Sequence, residues 1–357
     1  MADKKTIAVA MSGGVDSSVC AYLVKQSGND LFGATMKLYT PCSEQNTDRP
    51  CGTNKDIEDA RSTCDNLGIS HSVYDFSVCF KEKVIDNFTS TYINGGTPNP
   101  CIECNKYLKF DKLFKAAKLE GADMIATGHY ARIEKGENGR YLLRRAKDEN
   151  KDQSYVLWTL SQETLAHTLL PLGEYTKDEI RKIANEQGFV NANKGDSQDI
   201  CFVPDGDYAA FIKRETGYES KEGNYLDIDG NVIGKHKGVI HYTIGQRKGL
   251  GISMGRHIFV SAKDPASNTV TLADEEYIFS DKVILKDINL ISVPEICEPI
   301  RVEAKLRYKQ RPAKCTAIQT GDDEITLVFD EPQRAPAKGQ SAVIYDGEYV
   351  VGGGIIQ

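Results

Sequence analysis

Three observations in this 357-residue chain predict an α/β domain with a parallel sheet, then a small mixed domain, then an all-β barrel. Strand-like and helix-like segments alternate over residues 1 to about 205, the rhythm of strands joined by helical crossovers. From about 206 to 281 the pattern is mixed and punctuated by glycine. Beyond that, short alternating segments and turns crowd together, which suggests a small barrel. We place the domains at 1–205, 206–281 and 282–357, within the two or three that such a length allows.

The first element is the most informative. Ile7 to Met11 read as a short buried strand that runs into Ser12-Gly13-Gly14, and Asp16-Ser17-Ser18 open an amphipathic helix with apolar Val19, Cys20, Leu23 and Val24. Strand, glycine turn and helix start form a nest of backbone N–H groups backed by the helix dipole, which is a phosphate site. No lysine follows the glycines, so this is not the Walker pattern, and the loop should hold a pyrophosphate without that clamp. Leu31–Met36, Ser72–Asp75 and Met124–Thr127 read as further strands, with helical stretches from Asp56, Asp111 and Lys177. Nucleotides bind beyond the carboxyl ends of such strands, at a switch in strand order. Met36 and Gly128 close two of them and are expected beside the adenine and ribose.

One helix is expected near Tyr208–Arg214. In the last third, Ile300, Val302, Ala304 and Leu306 alternate with Arg301, Glu303, Lys305 and Arg307, which is a half-buried strand. Ala313–Ile318, Ile325–Phe329 and Ala342–Tyr345 continue the series, with turns at Thr320–Asp323 and Asp346-Gly347.

The bulk properties narrow the class. No apolar run of signal or membrane length is present near the start, so a soluble, cytoplasmic protein with no membrane partner is expected. Ten cysteines in a reducing compartment suggest buried, ligating or catalytic thiols. A net charge of −7 means that any RNA must be met by local basic patches.

Further strings converge on one family. Ser12-Gly13-Gly14-Val15-Asp16-Ser17 resembles the loop of the ATP pyrophosphatases, which cleave ATP to AMP and pyrophosphate. T-P-N-P-C-I-E-C-N-K from Thr97, A-T-G-H-Y-A-R from Ala126, K-D-Q-S-Y from Lys151, S-Q-D-I-C-F from Ser197 and Y-T-I-G-Q-R-K-G-L-G from Tyr242 add to it. In order and spacing the chain resembles the bacterial tRNA 2-thiouridylases. The resemblance implies an ATP pyrophosphatase domain in the N-terminal part and an ATP site at Ala10, Met11, Ser12, Gly13, Gly14, Val15, Asp16, Ser17, Met36 and Gly128. It sets Asn99, Pro100 and Cys101 around the target base, and His129, Lys151, Asp152, Gln153, Arg307, Tyr308 and Gln340 against tRNA. It implies sulfur supply from a cysteine desulfurase through a relay protein. Asp16 is an oxygen ligand suited to Mg²⁺, as ATP chemistry needs.

By the same resemblance Cys104 is the nucleophile and Cys201 carries a persulfide. The chemistry needs two thiols. A uracil C2 carbonyl is a poor electrophile; adenylating its oxygen lets AMP depart when a persulfide anion attacks. A second thiol then releases the sulfur by forming a disulfide. Cys101 departs from the family, where aspartate is frequent. Three readings stay open: a small residue that shapes the base pocket, a [4Fe-4S] ligand with Cys104 and Cys201, or a zinc ligand. For zinc a fourth ligand is needed, with Cys42, Cys51 and Cys64 as the loose candidates; Cys20, Cys64, Cys79, Cys297 and Cys315 are otherwise expected as buried small hydrophobes, and Cys42 and Cys51 have no other reading.

Some of the same groups have plainer interpretations. Arg307-Tyr308-Lys309-Gln310-Arg311 suits phosphates and a stacked base, or a solvated strand end. Asp152 could cap a helix start, and His129 is expected to touch substrate without moving a proton. The reading is an ATP-dependent sulfurtransferase making 2-thiouridine at the tRNA wobble position, with the base flipped out. Its rivals are an amidotransferase-type ligase, which leaves Cys104, Cys201 and the β-rich tail unexplained, and an ATP-responsive RNA-binding module without sulfur chemistry.

Overall fold

The computed structural model describes residues 4–39, 53–192, 194–195 and 200–357. Cys42, Cys51 and the 197–199 part of the S-Q-D-I-C-F string lie outside them. Strands β1 (Thr6–Ala10), β2 (Asp30–Lys37), β3 (His71–Asp75) and β4 (Met124–Ala126) precede a hairpin of β5 (Ala131–Lys135) and β6 (Tyr141–Arg145), and then the short β7 (Thr168–Leu169). Five of them form a parallel sheet in the order β3-β2-β1-β4-β7. The apolar run of β1 is buried along its middle, as expected of a parallel strand covered on both faces. Helix α1 (Val15–Gln26) packs Val19, Cys20 and Val24 against Ile7, Val9 and Met11. Helix α2 (Asn54–Leu67) opens with a capping box between Thr53 and Asp56 and stops at Gly68, whose φ is 63°. Strand order reverses at β1, with β2 on one side and β4 on the other, so the glycine loop and Gly128 leave the sheet together at the switch point.

The helix expected from Asp111 begins earlier, at Pro100. Proline suits a first helical position because its missing N–H would be unsatisfied there anyway. From Cys104 to Lys112 the backbone is wound as a π-helix before Leu113–Leu119 returns to α. That winding departs from the 3.6-residue period, which is why pattern reading located only the later part.

In the centre, helix Tyr208–Thr216 is followed by β8 (Gly223–Leu226), β9 (Val232–His236), β10 (Phe259–Asp264) and β11 (Thr269–Ala273). These strands form a mixed sheet ordered β10-β11-β8-β9, in which β11 and β8 run parallel. The remaining strands are β12 (Phe279–Leu290), β13 (Ile300–Lys305), β14 (Ala313–Gly321), β15 (Glu324–Arg334), β16 (Ser341–Asp346) and β17 (Tyr349–Ile356). They run β12-β15-β14-β13-β16-β17 and close into a barrel because β17 pairs with β12. The alternating strand is β13, with Val302 and Ala304 turned into the barrel core.

Two findings differ from expectation. The β5–β6 hairpin joins the barrel sheet, Tyr349 of β17 pairing with Arg144 of β6, so one sheet bridges the N-terminal and C-terminal parts. Among the five cysteines expected as buried, Cys20, Cys64 and Cys315 are, but Cys79 is only half-buried and Cys297 is exposed. Ile296 takes the inward position in that connection instead. No helix of the described residues is long and apolar enough to cross a membrane.

Candidate active site

The glycine loop is held from three sides. Ser17 Oγ accepts from the Ser12 N–H at 3.2 Å and donates to the Gly14 carbonyl at 2.9 Å, while Ser18 Oγ donates to the same carbonyl at 3.1 Å. Gly13 has φ 69°, and a Cβ there would stand 2.4 Å from the Asp56 carbonyl oxygen, so α2 presses directly on the turn. Asn191 Nδ2 donates to Gly13 O at 3.1 Å and to Ser18 Oγ at 2.8 Å. Lys194 Nζ reaches Gly13 O at 3.1 Å, Asp56 at 2.9 Å and Asp59 at 3.0 Å. A Cβ on Gly128 would meet the Asp16 backbone at 2.9 Å, which is how the end of β4 comes to lie beside the loop. Met36, near the end of β2, is half-buried against the neighbouring core.

Asp16 is engaged by two neighbours. Lys177 Nζ donates to both of its oxygens, at 2.8 Å each, and the Tyr130 hydroxyl donates to Oδ1 at 2.7 Å. Lys177 also lies over the Tyr130 ring, 5.7 Å from its centroid. No lysine follows the glycines, but one reaches Asp16 from the start of the helix Lys177–Glu186. Tyr130 is tied in turn to the K-D-Q string, its N–H donating to Gln153 Oε1 at 2.9 Å and its carbonyl accepting from the Gln153 N–H at 2.8 Å. Sequence reasoning missed Tyr130, Lys177, Asn191 and Lys194. Tyr130 sat in a quoted motif and Lys177 at a helix start, but neither position signals its partner.

Cys104 and Cys201, far apart in the chain, pack in one apolar cluster with Leu38, Phe80, Phe88 and Leu108. Cys104 is buried, Cys201 half-buried and Cys101 exposed. Asn105, next to Cys104, is buried and donates through Nδ2 to the Val156 carbonyl at 2.9 Å, fixing the π-wound turn against the Lys151–Tyr155 string. Among the described residues no three histidine, cysteine, aspartate or glutamate side chains gather as a metal-holding group. The cluster reading of Cys101, Cys104 and Cys201 therefore finds no preformed cradle among these residues, while two of the candidate fourth ligands of the zinc reading, Cys42 and Cys51, lie outside them.

The segment before Cys101 is bound to the barrel. Gln340 Nε2 donates to the Thr97 and Pro98 carbonyls at 2.8 and 3.2 Å, and the Thr97 N–H donates to Lys338 O at 2.8 Å. Asn99 lies beside the Tyr155 hydroxyl, which itself donates to Ser341 O at 2.7 Å. Pro100 is buried, Lys151 half-buried and Tyr308 exposed. Tyr308 stands edge-on to Tyr155, ring centroids 5.9 Å apart. Arg307 Nη2 donates to Arg334 O at 3.0 Å. Asp152 is buried and accepts from the Ala146 and Ser154 N–H groups, at 3.1 Å each, and from Ser154 Oγ at 2.8 Å; the N-cap of the short helix that follows is Gln153, not the expected Asp152. His129 is buried with Nδ1 2.8 Å from Thr127 Oγ1, and Phe110 stands 5.6 Å from its ring. Burial first, then Lys109, holds its pKa well below the usual imidazole value, so it stays neutral at pH 7.

The arrangement joins a glycine loop at the sheet's switch point, two thiols in an apolar setting and a basic, tyrosine-rich seam. Family models match nearly the whole chain: a tRNA methyl transferase HUP domain at 5–205, a tRNA methyl transferase PRC-barrel domain at 209–274 and an aminomethyltransferase β-barrel domain at 280–356. The chain is 51% identical to the tRNA-specific 2-thiouridylase MnmA of Clostridioides difficile, over 99% of this chain and 98% of that one. It is also 51% identical to the protein of that name from Clostridium acetobutylicum, over 99% of both. Among solved structures, a 4-thiouridine synthetase–RNA complex with bound ATP overlaps 60% of this chain and 50% of that one, with 16% identity and a TM-score of 0.35.

Proposed function

Because the chain belongs to the family of tRNA-specific 2-thiouridylases, we propose that its ATP loop, its two clustered thiols and its tyrosine-rich seam act together on one flipped uridine of tRNA. The protein is an ATP-dependent tRNA sulfurtransferase. In this reading the loop from Ala10 to Ser17, with Met36 and Gly128, holds ATP so that the uracil C2 oxygen attacks the α-phosphorus and pyrophosphate leaves. A persulfide on Cys201 then attacks C2 and expels AMP. Cys104 thiolate attacks the Cys201 sulfur, forming a Cys104–Cys201 disulfide and leaving the sulfur on C2. External thiols reduce the disulfide before the next turnover. Asn99, Pro100 and Cys101 shape the base pocket, while His129, Lys151, Asp152, Gln153, Arg307, Tyr308 and Gln340 line or support the RNA side.

Mg²⁺ would accompany the nucleotide and shield its phosphates. Asp16 has both oxygens engaged by Lys177 and Tyr130, so an ion held there would share the carboxylate with them, and no step depends on it. We assign the sulfur supply to a cysteine desulfurase, directly or through a relay protein, in the cytoplasm.

What supports the reading above all is the meeting of Cys104 and Cys201 in one apolar cluster despite their separation in the chain. The test is substitution. Cys201→Ser should keep tRNA binding and lose 2-thiouridine, Cys104→Ala should lose it as well, and Cys101→Asp should keep it. Thiouridine formed at the wild-type rate by Cys201→Ser would sink the persulfide assignment.

A further inference from the structure

The seam between the N-terminal domain and the barrel carries two cations set deeper than a surface patch. Arg145 ends β6, its N–H donating to Glu348 O at 2.8 Å and its carbonyl accepting from Arg132 Nε at 2.7 Å. Its guanidinium lies against the Tyr345 ring of the barrel, 4.2 Å from the centroid. Nε and Nη2 are buried and have no hydrogen-bond partner among the described residues. Lys305, which ends β13, lies 6.0 Å from the Tyr155 ring and 5.9 Å from the Tyr308 ring. Asp152 is the nearby carboxylate, but its oxygens already accept from Ala146 and Ser154. Burial lowers the Lys305 pKa, Asp152 opposes that shift and Arg145 adds to it, so the three groups sense one another.

Buried donors without an acceptor are costly, and a native protein keeps them where something completes them. A guanidinium fork beside an ammonium matches the two free oxygens of a phosphodiester. The setting also selects which phosphodiester. Tyr155 lies beside Asn99, and Tyr308 is close enough to Cys101 to feel its charge, so this pocket adjoins the segment that meets the target base. A stacked stem keeps its phosphates on the outside and cannot reach half-buried cations, whereas an extruded nucleotide can.

We propose that Arg145 and Lys305 seat the phosphodiester adjoining the flipped target nucleotide, an inference that rests on the tRNA-thiolase reading above. Tyr308, exposed at the mouth of this pocket, offers a ring face to the neighbouring base.

The test uses the full-length enzyme and an anticodon stem–loop carrying the target uridine. Arg145→Met and Lys305→Met should each weaken binding about tenfold, as expected for one lost charge-assisted contact. Each should also flatten the slope of log affinity against log salt by about 0.7 to 0.9. Arg145→Lys should keep the slope while losing affinity, since it keeps the charge without the fork. ATP affinity and melting temperature, measured in parallel, should stay close to wild type. Unchanged slopes in folded variants would overturn the proposal. So would a loss confined to ATP affinity, which would make the phosphate the nucleotide's own, or a loss seen with whole tRNA but not with the stem–loop. A wild-type enzyme that leaves the uridine unthiolated would instead overturn the reading beneath it.

Discussion

Replacing Lys177 by methionine keeps a long apolar stem and removes only the ammonium that holds Asp16. The two charges stand 2.8 Å apart, with the Lys177 side chain 6% exposed and that of Asp16 32% exposed. At an effective dielectric of about 20 their gross attraction is roughly 6 kcal/mol. Desolvation returns most of it: breaking a fully buried pair costs about 3–5 kcal/mol, and breaking an exposed one about 0–1. With one partner a third exposed, a loss of about 2 kcal/mol is expected. In a melting unit of roughly 150–250 residues that lowers Tm by about 4–8 °C. The decisive assay is a double-mutant cycle of Asp16→Asn and Lys177→Met by thermal or denaturant unfolding, which separates the pair from whatever else Lys177 touches. A coupling of at least about 1 kcal/mol is expected; additivity within about 0.3–0.5 kcal/mol would refute the pair as a structural unit of the loop. ATP-dependent stabilisation should shrink in both single variants, because the pair adjoins the loop that on the proposed reading holds the phosphates.

Two further outcomes follow from the same site. His129 stays neutral in the folded protein because burial depresses its pKa. Below about pH 6.5 the unfolded chain therefore binds a proton that the folded chain refuses, and stability falls by about 1.4 kcal/mol per pH unit until the folded pKa is reached. His129→Gln should reduce the acid slope of the unfolding midpoint by one proton's share, and an identical slope would remove His129 from that account. Gly13→Ala must place a Cβ at φ 69° against the Asp56 carbonyl, so it should lose about 1–2 kcal/mol from backbone strain alone and impair ATP binding. Calorimetric titration with ATP reads this directly, and a wild-type affinity would mean that α2 yields without disturbing the loop.

How far the sequence could be read depended on how local the signal was. The S-G-G-V-D-S-S loop was legible because strand, turn and helix start lie within one short string, and the parallel sheet followed from the alternation around it. The lysine that holds Asp16 was not, since Lys177 lies 161 residues beyond it and looks like any helix-opening lysine. The start of the Cys104 helix was obscured by its π winding, whereas Pro100 marked the first turn to anyone weighting proline over periodicity. Cys297 shows the limit of residue-type rules: cysteine is commonly buried, but its neighbour Ile296 is the better hydrophobe and took the place. Asp152 offered two readings, cap or RNA contact; Gln153 holds the N-cap position, and Asp152 spends its oxygens on the Ala146 and Ser154 N–H groups and the Ser154 hydroxyl.

The pairing of β6 with β17 also bears on how the chain is made. Arg144 and Glu348, which meet across that seam, are 204 residues apart. At a synthesis rate of about 5–20 residues per second, the hairpin leaves the ribosome roughly 10–40 s before its partner strand exists. Throughout that interval β6 is an open edge, the kind of surface on which nascent chains pair wrongly. Arg132, Lys135, Arg140, Arg144 and Arg145 outnumber Glu134 and Glu137 in the hairpin, a charge balance that disfavours pairing with a second copy of it. The side chains that later clasp the barrel, and on our proposal seat a phosphate, thus first serve as its guard during translation.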